Sequence, residues 1–183
     1  LGIPNVRFKV VFEECQASIN GIDRVKFMFS ANPGLPLAPL SETASGGEKS
    51  RILLAIKAIF SSFDQTNLLI FDEIDSGVSG SVSSYVANLL SQLSIHRQVF
   101  CVTHQPLIAA FADNHFVIRK SFIAGNTTSN VTNLKDKVDR QRELALLAGG
   151  DIVEANAYAA SLLEHKAAWW PYFFIQLNIN VFP

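Results

Sequence analysis

Only two cysteines, Cys15 and Cys101, occur in 183 residues. That is too few for a disulfide framework, and Cys101 sits in an apolar run where a reduced, inert core thiol is expected. Charge is equally scarce: 17% of residues are charged and the formal net charge is -1. Without a general basic footprint, composition alone gives no reason to expect nucleic-acid binding. No run of 18 apolar residues could span a bilayer and no signal peptide is evident, so no membrane role and a cytoplasmic location are expected. Asn126-Thr-Thr and Asn130-Val-Thr match the glycosylation pattern, but without a secretory signal they read as chance. The sequence also lacks Gly-x-x-x-x-Gly-Lys-Ser/Thr, the loop that wraps a β-phosphate. Gly46 to Ser50 has a superficial likeness to it, but Glu48 separates Gly47 from Lys49. The first residue is Leu1 rather than methionine, and a fragment is the expectation.

What is present is apolar material, 49% of the residues, enough for one domain that buries roughly 70% of its unfolded surface. Val6, Phe8, Val10 and Phe12 alternate with more polar neighbours, the period of a half-buried strand. Asn20-Gly21 marks a turn, and Val25, Phe27 and Phe29 repeat the alternation, which predicts an antiparallel strand pair. Ala31 to Leu40, with three prolines and a glycine, reads as a loop. Ser41 to Arg51 then opens onto a helical pattern at Ile52, Leu53, Ile56, Ile59 and Phe60. A Gly-rich turn feeding a helix presents free backbone N–H groups, a ready anion site. An ordinary cap, Ser45 with Glu48 three residues later, is compatible with that reading.

Leu68 to Phe71 is a short apolar run that reads as a strand buried on both faces, and it runs straight into Asp72 and Glu73. Adjacent carboxylates at a strand end can simply cap the next helix; they can also hold a divalent metal and activate water. A small-residue loop, Ser76 to Gly80, leads to a helix over about 81–93 with Val82, Tyr85, Val86, Leu89 and Leu90 on one face. Gln98 to Val102 reads as a second strand, Pro106 to Phe111 as a helix and His115 to Arg119 as a third strand with a hairpin following. Lys135 to Ala148 and Ile152 to Lys166 read as helices divided at Gly149-Gly150, whereas Trp169 to Pro183 is aromatic and apolar without a period. The fold class expected is α/β: a mostly parallel sheet flanked by helices, with an antiparallel strand pair at the front.

Taken jointly, Ser30-Ala-Asn-Pro-Gly34, Ala44-Ser45-Gly-Gly-Glu48 with Ser50-Arg51, Ile70-Phe71-Asp-Glu-Ile-Asp75, Gly77-Val-Ser-Gly80, Val102-Thr-His104-Gln-Pro106, Glu143-Leu-Ala145 and Gly149-Gly-Asp151 resemble the ABC-type ATPases. Among those the resemblance is closest to the RecN family of bacterial DNA-repair proteins, relatives of the structural-maintenance-of-chromosomes ATPases. It covers residues 1–166 and implies the C-terminal lobe of an ATPase head; residues 167–183 form an atypical apolar tail. The resemblance implies that Ser45, Gly46, Gly47 and Glu48 form the signature that contacts the γ-phosphate of ATP held by the opposite subunit. It further implies Asp72 as the Mg²⁺-holding carboxylate, Glu73 as the residue that deprotonates the attacking water and His104 as a γ-phosphate contact. Asp75 belongs to the loop that crosses the dimer interface and is grouped with the nucleotide-contacting residues. Ser79 stands where most transporter-type members have aspartate.

The implied partners are ATP with Mg²⁺, an N-terminal lobe bearing the Walker A loop, a second copy of the chain, and DNA. DNA repair and recombination at double-strand breaks, on the bacterial nucleoid, is the implied setting. Alone, the chain is expected to hydrolyse ATP negligibly. Arg119, Lys120, Lys135, Lys137, Arg140 and Arg142 are candidates for a basic patch, weighed against ordinary solvated charges. Two other classes stay open: a non-catalytic dimerisation or docking module, and a serine hydrolase using Ser79 with His104. Position 81 is serine where the nucleophile elbow needs glycine, which disfavours the hydrolase.

Overall fold

A computed structural model describes residues 5–32, 34–60, 66–78, 80–123, 126–169 and 175–180. The chain opens with β1 (Arg7–Ser18) and β2 (Gly21–Ser30), an antiparallel hairpin in which Val10 pairs with Phe27 and Phe12 with Val25. The turn is where Asn20-Gly21 predicts it, with Gly21 at φ 105°. The period is right but the burial is not. Val6, Phe8, Val10, Phe12, Val25 and Phe27 are all exposed, because among the described residues no element covers that face; Phe8 and Phe27 stack on each other at 5.8 Å. The proline-rich stretch is not wholly loop: β3 (Ala38–Pro39) pairs with β2, and α1 (Leu40–Thr43) follows.

The rest is α/β. In chain order come α2 (Gly46–Ile59), β4 (Leu68–Phe71), α3 (Ser81–Ser94), β5 (Gln98–Val102), α4 (Pro106–Phe111), β6 (Asn114–Ile123), β7 (Asn126–Leu134), α5 (Lys137–Ala148), α6 (Val153–Trp169) and β8 (Ile175–Asn180). They build one five-stranded sheet in the order β4-β5-β8-β6-β7, parallel except for the β6–β7 hairpin. Residues 175–180, within the stretch expected to lack a period, lie at the middle of the sheet, and there Ile175, Leu177 and Ile179 do alternate with Gln176, Asn178 and Asn180. The aromatic stretch before them, 170–174, lies outside the described residues, as does Ser79.

Two apolar clusters hold these layers. Leu69, Phe71, Val99 and Cys101 meet Leu54, Val86, Leu90 and Ile108 on one face of the sheet; Ala109, Ala110, Leu144, Ala145, Ala159 and Leu162 join α4, α5 and α6. The six-residue α4 is apolar around its circumference because it is wedged between both clusters. Burial pushes the Cys101 thiol pKa upward, aided by the Asp75 and Asp72 charges, so it is the inert core thiol expected.

Three sequence expectations change here. β4 is buried on one face only, with Leu68 and Ile70 exposed, because among the described residues nothing covers the face those two share. On α2 the buried residues are Gly47, Arg51 and Leu54, while Leu53, Ile59 and Phe60 of the expected stripe are exposed. On α3, Tyr85 is exposed and the core side is Val86, Ala87, Leu90 and Leu93.

His115, at the start of β6, is fully buried, and neither ring nitrogen has a hydrogen-bond partner among the described residues. Burial, with the Arg140 charge, pushes its pKa from the ordinary 6.5 down to about 4. The unfolded chain therefore binds the proton more readily than the folded one. The proton-linked cost of His115 is thus absent above pH 6.5, and stability falls as pH drops from 6.5 toward 4, by up to about 3 kcal/mol. Urea unfolding across that window is expected to show this loss in the wild type and a shallower one in His115→Leu.

Candidate active site

The site forms where the N-terminus of α2 meets the carboxyl ends of β4 and β5. Ser45 caps α2: its side chain accepts from the Glu48 N–H at 3.3 Å, while the Ser45 N–H donates to Glu48 Oε2 at 2.8 Å. This is the expected capping box, and it closes the turn that carries Gly46 and Gly47. The turn is pressed against the loop after β4. A Cβ on Gly47 would stand 2.7 Å from the Ser76 carbonyl oxygen, and one on Gly46 would stand 2.9 Å from Glu73 Oε2. The two contacts differ in kind, backbone in one case and the free end of a side chain in the other. Gly47→Ala is accordingly expected to lower stability by about 2 kcal/mol in denaturant unfolding. Gly46→Ala is expected to leave stability within about 0.5 kcal/mol and only displace the Glu73 carboxylate.

Two side chains outside the sequence-level site assignment lock this docking. Ser50 Oγ donates to the Asp72 carbonyl at 2.9 Å. Arg51, only 4% exposed, reaches from α2 to donate through Nη1 to the carbonyls of Ser76 at 2.6 Å and Ile74 at 3.4 Å. Burial lowers the Arg51 pKa, and the Glu48 and Asp75 carboxylates oppose that shift. The sequence does carry a signal for Arg51, since it stands one helical turn after Gly47, on the same face.

Beyond β4 the chain makes two successive turns, with the Ser76 N–H bonded to the Glu73 carbonyl and the Val78 N–H to the Asp75 carbonyl. Glu73 adopts φ 55°, the left-handed region that costs a side-chain-bearing residue on the order of 1 kcal/mol. Asp72 and Glu73 are exposed, whereas Asp75 is 2% exposed. Asp75 Oδ2 accepts from the Thr103 hydroxyl and from the His104 N–H at 2.8 Å, and lies 3.1 Å from His104 Nδ1. The ring turns its Nδ1 edge toward that oxygen, and Nε2 is the outward nitrogen of an imidazole that is largely exposed. Gln105 continues the chain of contacts to Thr103 and Val78.

Asp72, Glu73, Asp75, Thr103 and His104 thus line one open cleft of about 430 Å³. Ser45, Gly46, Gly47 and Glu48 are not in its lining but abut it through the Gly46–Glu73 and Gly47–Ser76 contacts. Asp75, expected to contact nucleotide, directs its carboxylate hydrogen bonds to the turn after β5. The basic patch is reduced: Arg119 pairs with the buried Glu143, and Arg140 donates to the Ala110 and Ala112 carbonyls, leaving Lys120, Lys135, Lys137 and Arg142 exposed. Among the described residues no three His, Cys, Asp or Glu converge as a metal cage. One exposed carboxylate, Asp72, suits a Mg²⁺ that takes its remaining ligands from substrate phosphates and water. Among those residues no helix is long and apolar enough to cross a membrane.

No family model matches the chain. The DNA repair protein RecN of Synechocystis sp. is 46% identical over 184 residues, covering 92% of this chain and 32% of the relative. The RecN proteins of Bacillus subtilis and Treponema pallidum are 44% and 40% identical over 151 and 176 residues, covering 81% and 91% of this chain and 26% and 30% of theirs. The chain thus spans about a quarter to a third of the length of these relatives. A solved SMC head bound to the C-winged helix domain of ScpA overlaps 75% of this chain and 40% of its own at 22% identity and a TM-score of 0.48. With identities of 40–46% to those relatives across most of its sequence, the chain belongs to the RecN family, of which it is the C-terminal lobe.

Proposed function

We propose that this lobe supplies the water-activating half of an ATP-hydrolysing head, to be completed by a lobe bearing the phosphate loop. The observation that carries this reading is the convergence of Glu73 and His104, from adjacent parallel strands, on the cleft that Asp72 also lines. Glu73 is the base: exposed, at a strand end, it takes a proton from a water poised on the γ-phosphate. His104, held by Asp75 at Nδ1, directs Nε2 toward the charge that develops on the phosphoryl oxygens. Asp72 would hold Mg²⁺, which when bound offsets phosphate charge. Ser45 to Glu48, at the positive end of α2, offer backbone N–H groups to the γ-phosphate of a nucleotide held by a second copy. Pairing of two such heads around ATP follows from that division. That the relatives are DNA repair proteins supports DNA repair as the process served, with DNA as the partner of the whole protein.

The test mixes this chain with a Walker-A-bearing N-terminal RecN lobe and measures phosphate release from Mg-ATP. Turnover is expected in the mixture and not in either component. Clear hydrolysis by this chain alone, or none in a mixture whose lobes demonstrably bind, would overturn the reading.

A further inference from the structure

Glu73 holds a backbone conformation that a side chain disfavours, φ 55°, and a residue stays there only where its surroundings fix the peptides around it. The peptide after it is fixed by a turn, with the Ser76 N–H bonded to the Glu73 carbonyl at 3.0 Å. The peptide before it decides φ, the rotation that sets the Asp72 carbonyl against the rest of Glu73. That carbonyl lies just past Phe71↔Cys101, the last ladder pair of β4 and β5, and so outside the sheet. What holds it is Ser50, whose Oγ donates to the Asp72 carbonyl oxygen at 2.9 Å. A serine inside a helix can turn its hydroxyl back to the carbonyl four residues earlier, here that of Gly46. Ser50 instead directs it to a residue 22 positions away, in another element.

The docking of α2 does not depend on this bond. Arg51 fastens the helix to the carbonyls of Ile74 and Ser76, and Gly47 lies close against Ser76. Ser50 itself is only half-buried. One such hydrogen bond and the strain of one left-handed side chain are similar in size, so losing the first releases the second. Glu73 then relaxes toward negative φ while the anchors on either side of it stay. That change turns the Cα–Cβ bond relative to β4, and the carboxylate, at the far end of the side chain, moves farthest.

We propose that Ser50 is a positioning residue for the base: its hydroxyl pins the Asp72–Glu73 peptide in the orientation that presents Glu73 to the cleft. The catalytic half of this inference rests on the function proposed above and the backbone half does not, so the two are measured separately. Ser50→Ala and Ser50→Thr are compared with the wild type. In the chain alone, scalar couplings across the Glu73 N–Cα bond report φ. Ser50→Ala is expected to move them to the values of negative φ. Ser50→Thr keeps the hydroxyl and is expected to leave them unchanged, with the urea midpoint of both variants near that of the wild type.

In the mixture with the Walker-A-bearing lobe, Ser50→Ala is expected to lower kcat by about ten- to a hundredfold at unchanged KM, and Ser50→Thr to retain it. In a Glu73→Gln background, Ser50→Ala is expected to cost nothing more, since the group it positions is already gone. Couplings that do not move in Ser50→Ala overturn the inference. So does a kcat that holds although they move, or a full second loss in the Glu73→Gln background. Moved couplings, with a wild-type mixture that never hydrolyses ATP, leave Ser50 as the residue that sets φ of Glu73 and remove the catalytic reading. Unmoved couplings in a mixture that does hydrolyse ATP do the reverse.

Discussion

Glu73→Gln is expected to lower turnover of the reconstituted head by about 10²–10⁴-fold, the contribution of a positioned general base. Glutamine keeps the length and the hydrogen-bonding reach of the side chain but cannot accept the proton of the attacking water. It also meets the same backbone constraint, since φ 55° at this position disfavours both side chains equally. Stability should therefore not move, and nucleotide binding should survive, so the loss falls on kcat rather than KM. Glu73→Gly is the useful contrast: it also removes the base, but it relieves the left-handed backbone and is expected to stabilise the fold by on the order of 1 kcal/mol. A Glu73→Gln mixture that turns over at the wild-type rate would mean that another group activates the water.

Asp75→Ala is expected to destabilise the chain by about 4 kcal/mol, because the Thr103 hydroxyl and the His104 N–H both lose their acceptor in a buried position. Arg51, which Asp75 stabilises as a cation, loses a favourable charge as well. Asp75→Asn retains one acceptor oxygen and is expected to cost about half as much. In Asp75→Ala His104 loses the oxygen 3.1 Å from Nδ1, so nitrogen chemical shifts of the imidazole should report a changed tautomer balance relative to the wild type. A change in urea midpoint equivalent to less than about 0.5 kcal/mol for Asp75→Ala would show that the buried carboxylate holds nothing in place.

Much of this site is legible before any coordinates. Ser45 and Glu48 stand three residues apart ahead of a helical pattern, and that spacing specifies the capping box found. Asp72, Glu73 and His104 each follow an apolar run, and parallel strands bring such positions to one end of a sheet. Burial was far less legible. Val10, Phe12, Val25 and Phe27 keep strict alternation yet stay exposed, since period reports which residues share a face and not whether anything covers it. Leu68 and Ile70 read as core for the same reason, although among the described residues nothing covers their face of β4. The spacing from Gly47 gives the face of Arg51 but not its burial: an arginine with 4% exposure is satisfied by the carbonyls of Ile74 and Ser76, 23 and 25 residues away.

What the sequence determined on its own is local: the strand and helix periods, the cap on α2, the turn at Gly21 and the order in which the acidic pair and the histidine leave their strands. Those depend on neighbours a few residues apart, which any stretch of chain displays. The tertiary structure alone decided that Asp75 is a buried anchor for His104, that Gly47 and Arg51 weld α2 to the acidic loop, and that 175–180 lies between β5 and β6. Each of these joins backbone groups distant in sequence, and no local pattern encodes which hydrogen-bonding partner a distant strand or loop will offer.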